Sequence, residues 1–250
     1  PCADWANFIC GGGILNRGKL TIDKVTVSDN NLQSTDSRQS VFAGGIYNTW
    51  SGTMTITRSF IHDNDMSATA WAQGAGIGNE GTMLIRSSTI SGNSTIGSSQ
   101  STGAGIFNAG TTTELGHDAI GSLTISNSTI SGNSVGTLDA ADLYGAGIFN
   151  EEAAQTLVLE YVTITENEGA RGSGVWSPGP LHMVGALIAG NSGEVAQGPD
   201  CVGGDVLTAS NIRSIRPGAS SVRWAAPPAA RRASSTPRCS RCSTARPASW

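Results

Sequence analysis

Carboxylates are the groups in this sequence best suited to chemistry on a sugar or a metal ion. Asp63 and Asp65 stand two apart in the run HDND, Asp118 follows His117, and Asp139 and Asp142 lie further along. Paired carboxylates hydrolyse glycosidic bonds when one donates a proton and the other attacks or activates water, at separations of roughly 5–10 Å. Isolated loop acids instead suit calcium as a structural ion. No catalytic residue, metal site or cofactor is assigned; these five aspartates are the candidates. An active site spanning neighbouring repeats needs partner acids, yet the positions equivalent to Asp63 and Asp65 read Gly92 and Ser94, then Gly132 and Ser134. Solvated loop acids are the commoner outcome.

Two other signals have simpler readings. Gly76 to Gly81 match GxGxxG. A dinucleotide site needs a helix after that turn and an acid further on in a βαβ unit, so no nucleotide is expected. Cys239 and Cys242 form a CxxC without a second pair at zinc spacing. Cys2 and Cys10 are placed for a short-range disulfide in an oxidising compartment.

The elements that position these groups follow from a repeat. A first part, Gly-x-Gly-Ile-x-Asn, reads GGGILN at 11–16, AGGIYN at 43–48, GAGIGN at 74–79, GAGIFN at 103–108 and 145–150, and GSGVWS at 172–177. A second is an alternating triplet, LTI at 20–22 through LHM at 181–183. A third ends in a turn, VTVSDN at 25–30 through ALIAGN at 186–191. The last apolar residue of the second part and the central one of the third are always five apart, as in Ile22 to Val27 and Ile125 to Ile130. Variation is confined to the joints after the closing Asn and after the first-part Asn.

The period within each part is two, which is strand periodicity. Three short strands per unit with so few turn residues cannot stack as hairpins. They make one coil of a triangular solenoid, each strand pairing with its equivalent in the next coil about 4.8 Å away. The expected fold is all-β: a right-handed, single-stranded parallel β-helix of about six coils over residues 11–205. A lead-in at 1–10 and an irregular basic tail at 206–250 flank it.

Asn30, Asn64, Asn93, Asn133, Asn167 and Asn191 then stack at one corner as a structural ladder. Asn16, Asn48, Asn79, Asn108 and Asn150, with Ser177 last, form a second column. The x of the first part places Tyr47, Phe107, Phe149 and Trp176 in an outward column, an expected binding strip for sugar rings or a partner unless loops cover it. The outward column of the third part is mostly Thr, interrupted by Phe60 and Leu187.

Composition sets further bounds. Of 250 residues only 14% are charged and 33 are Gly. Residues 1–211 hold all 19 acids and 7 of the 15 basic residues, a net −12, while 212–250 hold 8 Arg and no acid. An acidic body argues against nucleic acid as a partner. No apolar run is long enough to span a bilayer. The chain begins at Pro1, which reads as a fragment, and the abrupt change near Ile212 reads as a disordered tail or a shifted reading frame, the second being favoured on composition.

These units resemble the β-helix repeats of bacterial surface adhesins and polymorphic outer-membrane proteins, within the pectate-lyase-like fold group. The motifs are the Gly-x-Gly-Ile-x-Asn and "LTISNSTISGNS" runs, over about residues 11–200, with GPDC at 198–201 after the last coil. The resemblance implies a secreted or cell-surface bacterial protein. Its first functional implication is a non-catalytic adhesin, passenger or stalk that binds carbohydrate or a host or matrix surface. The alternative is a polysaccharide lyase or glycoside hydrolase. Whether the chain is an enzyme stays open, leaning to no, as does its oligomeric state.

Overall fold

A computed structural model describes residues 8–36, 38–110, 120–137, 142–152, 154–193, 200–203 and 206–210. These are strands and turns only, and no helix among them is long and apolar enough to cross a membrane. Every pairing between strands is parallel and joins one coil to the next, so the chain is a parallel β-helix.

Three sheets enclose the main core. The entry sheet begins with Ile14–Asn16 and Ile46–Asn48, the floor sheet with Lys19–Asp23 and Thr53–Thr57, and the closing sheet with Thr26–Ser28 and Phe60–His62. Inward columns of Ile, Leu, Met and Val from all three form one apolar cluster, with Ile46, Ile56 and Ile61 fully buried in the second rung. The registers hold without slip through the middle rungs, Ile85 opposite Ile125 and Ile90 opposite Ile130.

The coil has more sides than three. The variable joint between the closing Asn and the next Gly-x-Gly contains two further strands in rungs one to four. An outer flange starts with Asn31–Ser34 and Asp65–Ala68; an inner flange starts with Phe8–Cys10 and Ser40–Phe42. The flanges face each other over a small core of Val41, Met66, Ala68, Ala72 and Ala75. The stack also continues beyond the expected six coils. Cys201–Gly203 joins the entry sheet as a seventh strand, and Val206–Ser210 joins the floor sheet, past the boundary expected at 205.

Three corners per coil turn on single left-handed residues. One column is Lys24, Arg58, Ser87, Asn127, Tyr161 and Gly185; a second is Asp29, Asp63, Gly92, Gly132, Glu166 and Gly190. The third, leading into the entry sheet, is Gly11, Ala43, Gly74, Gly103, Gly145 and Gly172. A one-residue corner explains why the spacing between second and third parts never changes. At four glycines of the third column, Gly74, Gly103, Gly145 and Gly172, a side chain would also meet backbone: at Gly103 (φ +58°) a Cβ would lie 2.6 Å from the Ile106 carbonyl oxygen. Gly103→Ala is therefore expected to destabilise by roughly 1–3 kcal/mol, read from the urea midpoint. Ser87→Ala, at an exposed left-handed corner already held by a side chain, is the tolerated control.

The second glycine of each Gly-x-Gly has a different cause. A Cβ on Gly45, Gly76, Gly105 or Gly147 would lie 2.5–2.6 Å from the next rung's carbonyl oxygen and about 3 Å from the ladder amide. Only a hydrogen fits there.

Both Asn ladders form as expected. In the first, each Nδ2 donates to the Oδ1 one rung on: Asn64 to Asn93 at 2.8 Å, Asn93 to Asn133 at 2.9 Å, Asn133 to Asn167 at 2.9 Å. In the second, Asn48 donates to Asn79 at 2.8 Å and Asn108 to Asn150 at 2.7 Å. A shorter third ladder comprises Ser59, Ser88 and Ser128. Each hydroxyl accepts the previous rung's backbone N–H at 3.1 Å and donates to a carbonyl two residues back.

Candidate functional site

The aromatic column of the entry sheet is not a surface strip. Tyr47 and Phe149 are buried, Phe107 is 2% exposed, and Trp176 is half-buried. Strand alternation turns these rings away from the main core, but the inner flange stands on that side and covers them. Phe42 lies edge-on to Tyr47 (5.0 Å between centroids) and to Phe107 (5.3 Å), and Phe107 stacks on Phe149 at 5.4 Å. The exposure expected of this column is thus replaced by a second apolar core. Gly78 interrupts the column because Phe42 occupies its space: a Cβ there would meet Phe42 Cε1 at 2.7 Å. Gly78→Ala should cost about 1–3 kcal/mol by overpacking. Part of that loss should return with Phe42→Leu in a double-mutant cycle of urea midpoints.

At one edge of this aromatic core lies a group that sequence reading did not single out. Glu80 follows the ladder residue Asn79 and is only 4% exposed. Tyr47 Oη donates to Glu80 Oε2 at 2.6 Å, and the Trp50 backbone N–H donates to the same carboxylate. Burial nevertheless pushes the Glu80 carboxyl up to about 7, with the charge of Glu151 pushing the same way. Glu151 follows the ladder residue Asn150 two rungs on, about 10 Å along the rod. It is half-buried, it accepts the Gly110 N–H at 2.7 Å, and burial raises its pKa also. The arrangement is one near-neutral carboxylic acid and a second raised one beside a ring cluster, with Trp50 half-exposed next to them. A carboxyl with the Glu80 pKa can exchange protons near pH 7. The local signal was an acid directly after a ladder Asn; its burial comes from other rungs.

Of the aspartate candidates, Asp63 and Asp65 lie together at one corner. Asp63 and Asp65 are exposed at the left-handed corner after the closing sheet. Asp63 Oδ2 lies 2.7 Å from His62 Nδ1, and burial, then Asp63 and Asp29, push the Asp65 carboxyl up. Asp142 opens the inner-flange strand Asp142–Tyr144, paired with Gln100. Asp118 and Asp139 lie outside the described residues, as do Cys2, Cys239, Cys242 and the segment 212–250. No group of three His, Cys, Asp or Glu able to hold a metal ion occurs among the described residues. The GxGxxG run spans the strand Ile77–Asn79 and the turn into Thr82–Arg86, without the helix that a nucleotide site requires.

At the sixth rung the inner flange is reduced to a single bridge between Tyr144 and Arg171. There Tyr144 and Trp176 tilt together at 4.7 Å, and Arg171 Nη1 donates to Tyr144 Oη at 2.9 Å. Comparison of the chain with protein-family models, with curated proteins and with solved structures yields no match.

Proposed function

We propose that the chain is a rigid binding rod of a secreted or cell-surface protein, holding an extended carbohydrate or matrix polymer on its outer faces without chemistry. The supporting observation is a pair of exposed aromatics, one on the threonine-rich closing sheet and one at its leading corner. Phe60 projects from the closing sheet between Thr26 and Thr89 and is 54% exposed. Tyr161 stands at the corner before the same sheet, three rungs on, and is 64% exposed. They lie about 14 Å apart along a rod whose ladders resist bending. Aromatic rings exposed on a fixed scaffold stack on sugar rings or anchor a partner at low entropy cost. Cys10 is disulfide-bonded, which supports an oxidising compartment.

The test is retention of the full chain on immobilised plant, microbial and matrix polysaccharides, with and without calcium, reading product chain length in the same run. Retention without shortening is expected, weakened roughly tenfold or more by Phe60→Ala with Tyr161→Ala. Retention that ignores both substitutions removes this face as the site. Shortened chains favour the second reading, a carbohydrate-active enzyme, for which Glu80 with its pKa of about 7 is the supporting group.

A further inference from the structure

The closing sheet carries charge at both of its edges, and the signs are opposite. Its leading corner holds Lys24 in the first rung and Arg58 in the second, both exposed. Its trailing corner holds Asp29 and Asp63 in the same two rungs, exposed as well. The order recurs in the fifth rung, with the Tyr161 hydroxyl on the leading side and the exposed Glu166 on the trailing side. All six residues have the left-handed backbone, so each projects from its corner as its column neighbours do. Their local partners do not use them up. Asp23 takes one donor of Arg58, and a guanidinium has five. Asp29 accepts the Ser28 hydroxyl and Asp63 lies against the His62 ring, while a carboxylate has room for about four donors.

Between the edges the outward side chains are short. Across rungs three to five they are Thr89 and Ser91, Thr129 and Ser131, Thr163 and Thr165. The second rung differs: Phe60 stands in the leading column and His62 in the trailing one. A two-fold axis along the rod turns the leading edge of each copy onto the trailing edge of the other, rung for rung. Lys24 then faces Asp29 of the second copy, Arg58 faces Asp63, Tyr161 Oη faces Glu166, and Phe60 faces His62. An axis across the rod sets leading edge against leading edge, where like charges repel.

We propose that the closing sheet is the interface of a parallel homodimer, two copies related by a two-fold axis along the rod. The contact is isologous, so it closes at two copies and does not propagate. Six rungs of about 4.8 Å and a width of about 15 Å give on the order of 500 Å² per copy, roughly 1,000 Å² in all, the lower end for a specific pair. The dimer is therefore weak and exchangeable, with charge setting its register. It covers Phe60 and Tyr161, so pairing and polymer binding exclude each other, and the dimer is the masked form of that face. The inference concerns the same face as the polymer reading but does not rest on it.

The test is a charge exchange between two variants of the full chain. The first carries Lys24→Asp and Arg58→Asp, which makes both edges acidic; the second carries Asp29→Lys and Asp63→Arg, which makes both basic. Sedimentation equilibrium follows each alone, their equal mixture and the unmodified chain, up to roughly 100 µM. The unmodified chain is expected to dimerise with concentration. Either variant alone should associate roughly tenfold or more weakly, and the mixture should recover the dimer. A variant that failed to fold would not be rescued by mixing. A mixture no more associated than its components overturns the proposal, as does a dimer that persists undiminished in each variant. An unmodified chain that stays monomeric overturns it too and leaves this face to a different partner. Both variants keep Phe60 and Tyr161, so their retention on polysaccharide tests the polymer reading separately.

Discussion

Replacing Asn133 with leucine should lower the unfolding free energy by roughly 3–5 kcal/mol, the largest loss expected from any single ladder change. Asn133 is fully buried and sits at the middle of the stack. Its Oδ1 accepts two bonds from Asn93, and its Nδ2 donates to Asn167 Oδ1 at 2.9 Å and to Ile90 O at 3.1 Å. Leucine is close in volume, so the cost is not a cavity. It is the set of groups left behind: the Asn93 N–H, one Asn93 amide hydrogen and the Ile90 carbonyl, none of which reaches water. A buried donor or acceptor without a partner costs about 1–3 kcal/mol, and partial relaxation keeps the sum below three full penalties.

Position along the rod is the internal control. Asn30→Leu removes an amide of the same column, but at a half-buried end where no described donor uses its Oδ1, and should cost only about 1 kcal/mol. Urea midpoints of the two variants measure the difference. Equal losses, or an unchanged melting temperature for Asn133→Leu, would mean that stacked isoleucines alone hold the rungs in register. A solenoid adds a local consequence: a weak rung in the middle divides the array, so the Asn133→Leu transition should also broaden.

The legible part of this fold is the part fixed by short-range geometry. The five-residue interval from Ile125 to Ile130 is rigid because Asn127 makes that corner alone, with φ at 49°. The Asn columns were readable because a buried amide needs a partner in every rung, so the residue cannot drift. The flanges were not legible. Ser94–Gly97 and Gln100–Thr102 are short, mostly polar strands, and the core between the flanges is built largely from alanines, which show no alternation against a Gly- and Ser-rich background. It is these flanges that cover Phe107 and Phe149. Period-two alternation tells which side of a sheet a ring is on, and only the neighbouring sheet tells whether that side is wet. Asp200 was visible within GPDC, yet that its Oδ1 accepts the Asn191 amide at 3.1 Å depends on the register of the whole seventh rung. Glu80 was hidden for the same reason: it reads as a turn acid, and its burial is made by Tyr47 from the rung before and by the rungs around it.

That burial sets the sign of a pH effect running opposite to ordinary acid unfolding. The folded Glu80 carboxyl has a pKa of about 7, above its unfolded value of 4.5. The native state therefore holds the Glu80 proton more tightly than the unfolded chain does. The stabilisation is fully present below about 4.5 and is lost as pH rises through 7. A shift of this size corresponds to roughly 3 kcal/mol, as an upper figure for a buried group. Glu151 and Asp65, also raised, add in the same direction. Urea midpoints should thus fall from pH 5 to pH 8. Glu80→Gln keeps an acceptor for Tyr47 Oη and removes the titration. It should match the unmodified chain near pH 5 and exceed it near pH 8. Tyr47→Phe gives the complementary shift. The Tyr47 hydroxyl favours the ionised carboxylate, so its loss should move the pH window upward. A slope that survives Glu80→Gln unchanged would place the titrating group elsewhere and make the Tyr47–Glu80 contact a charge-assisted hydrogen bond to an ionised carboxylate.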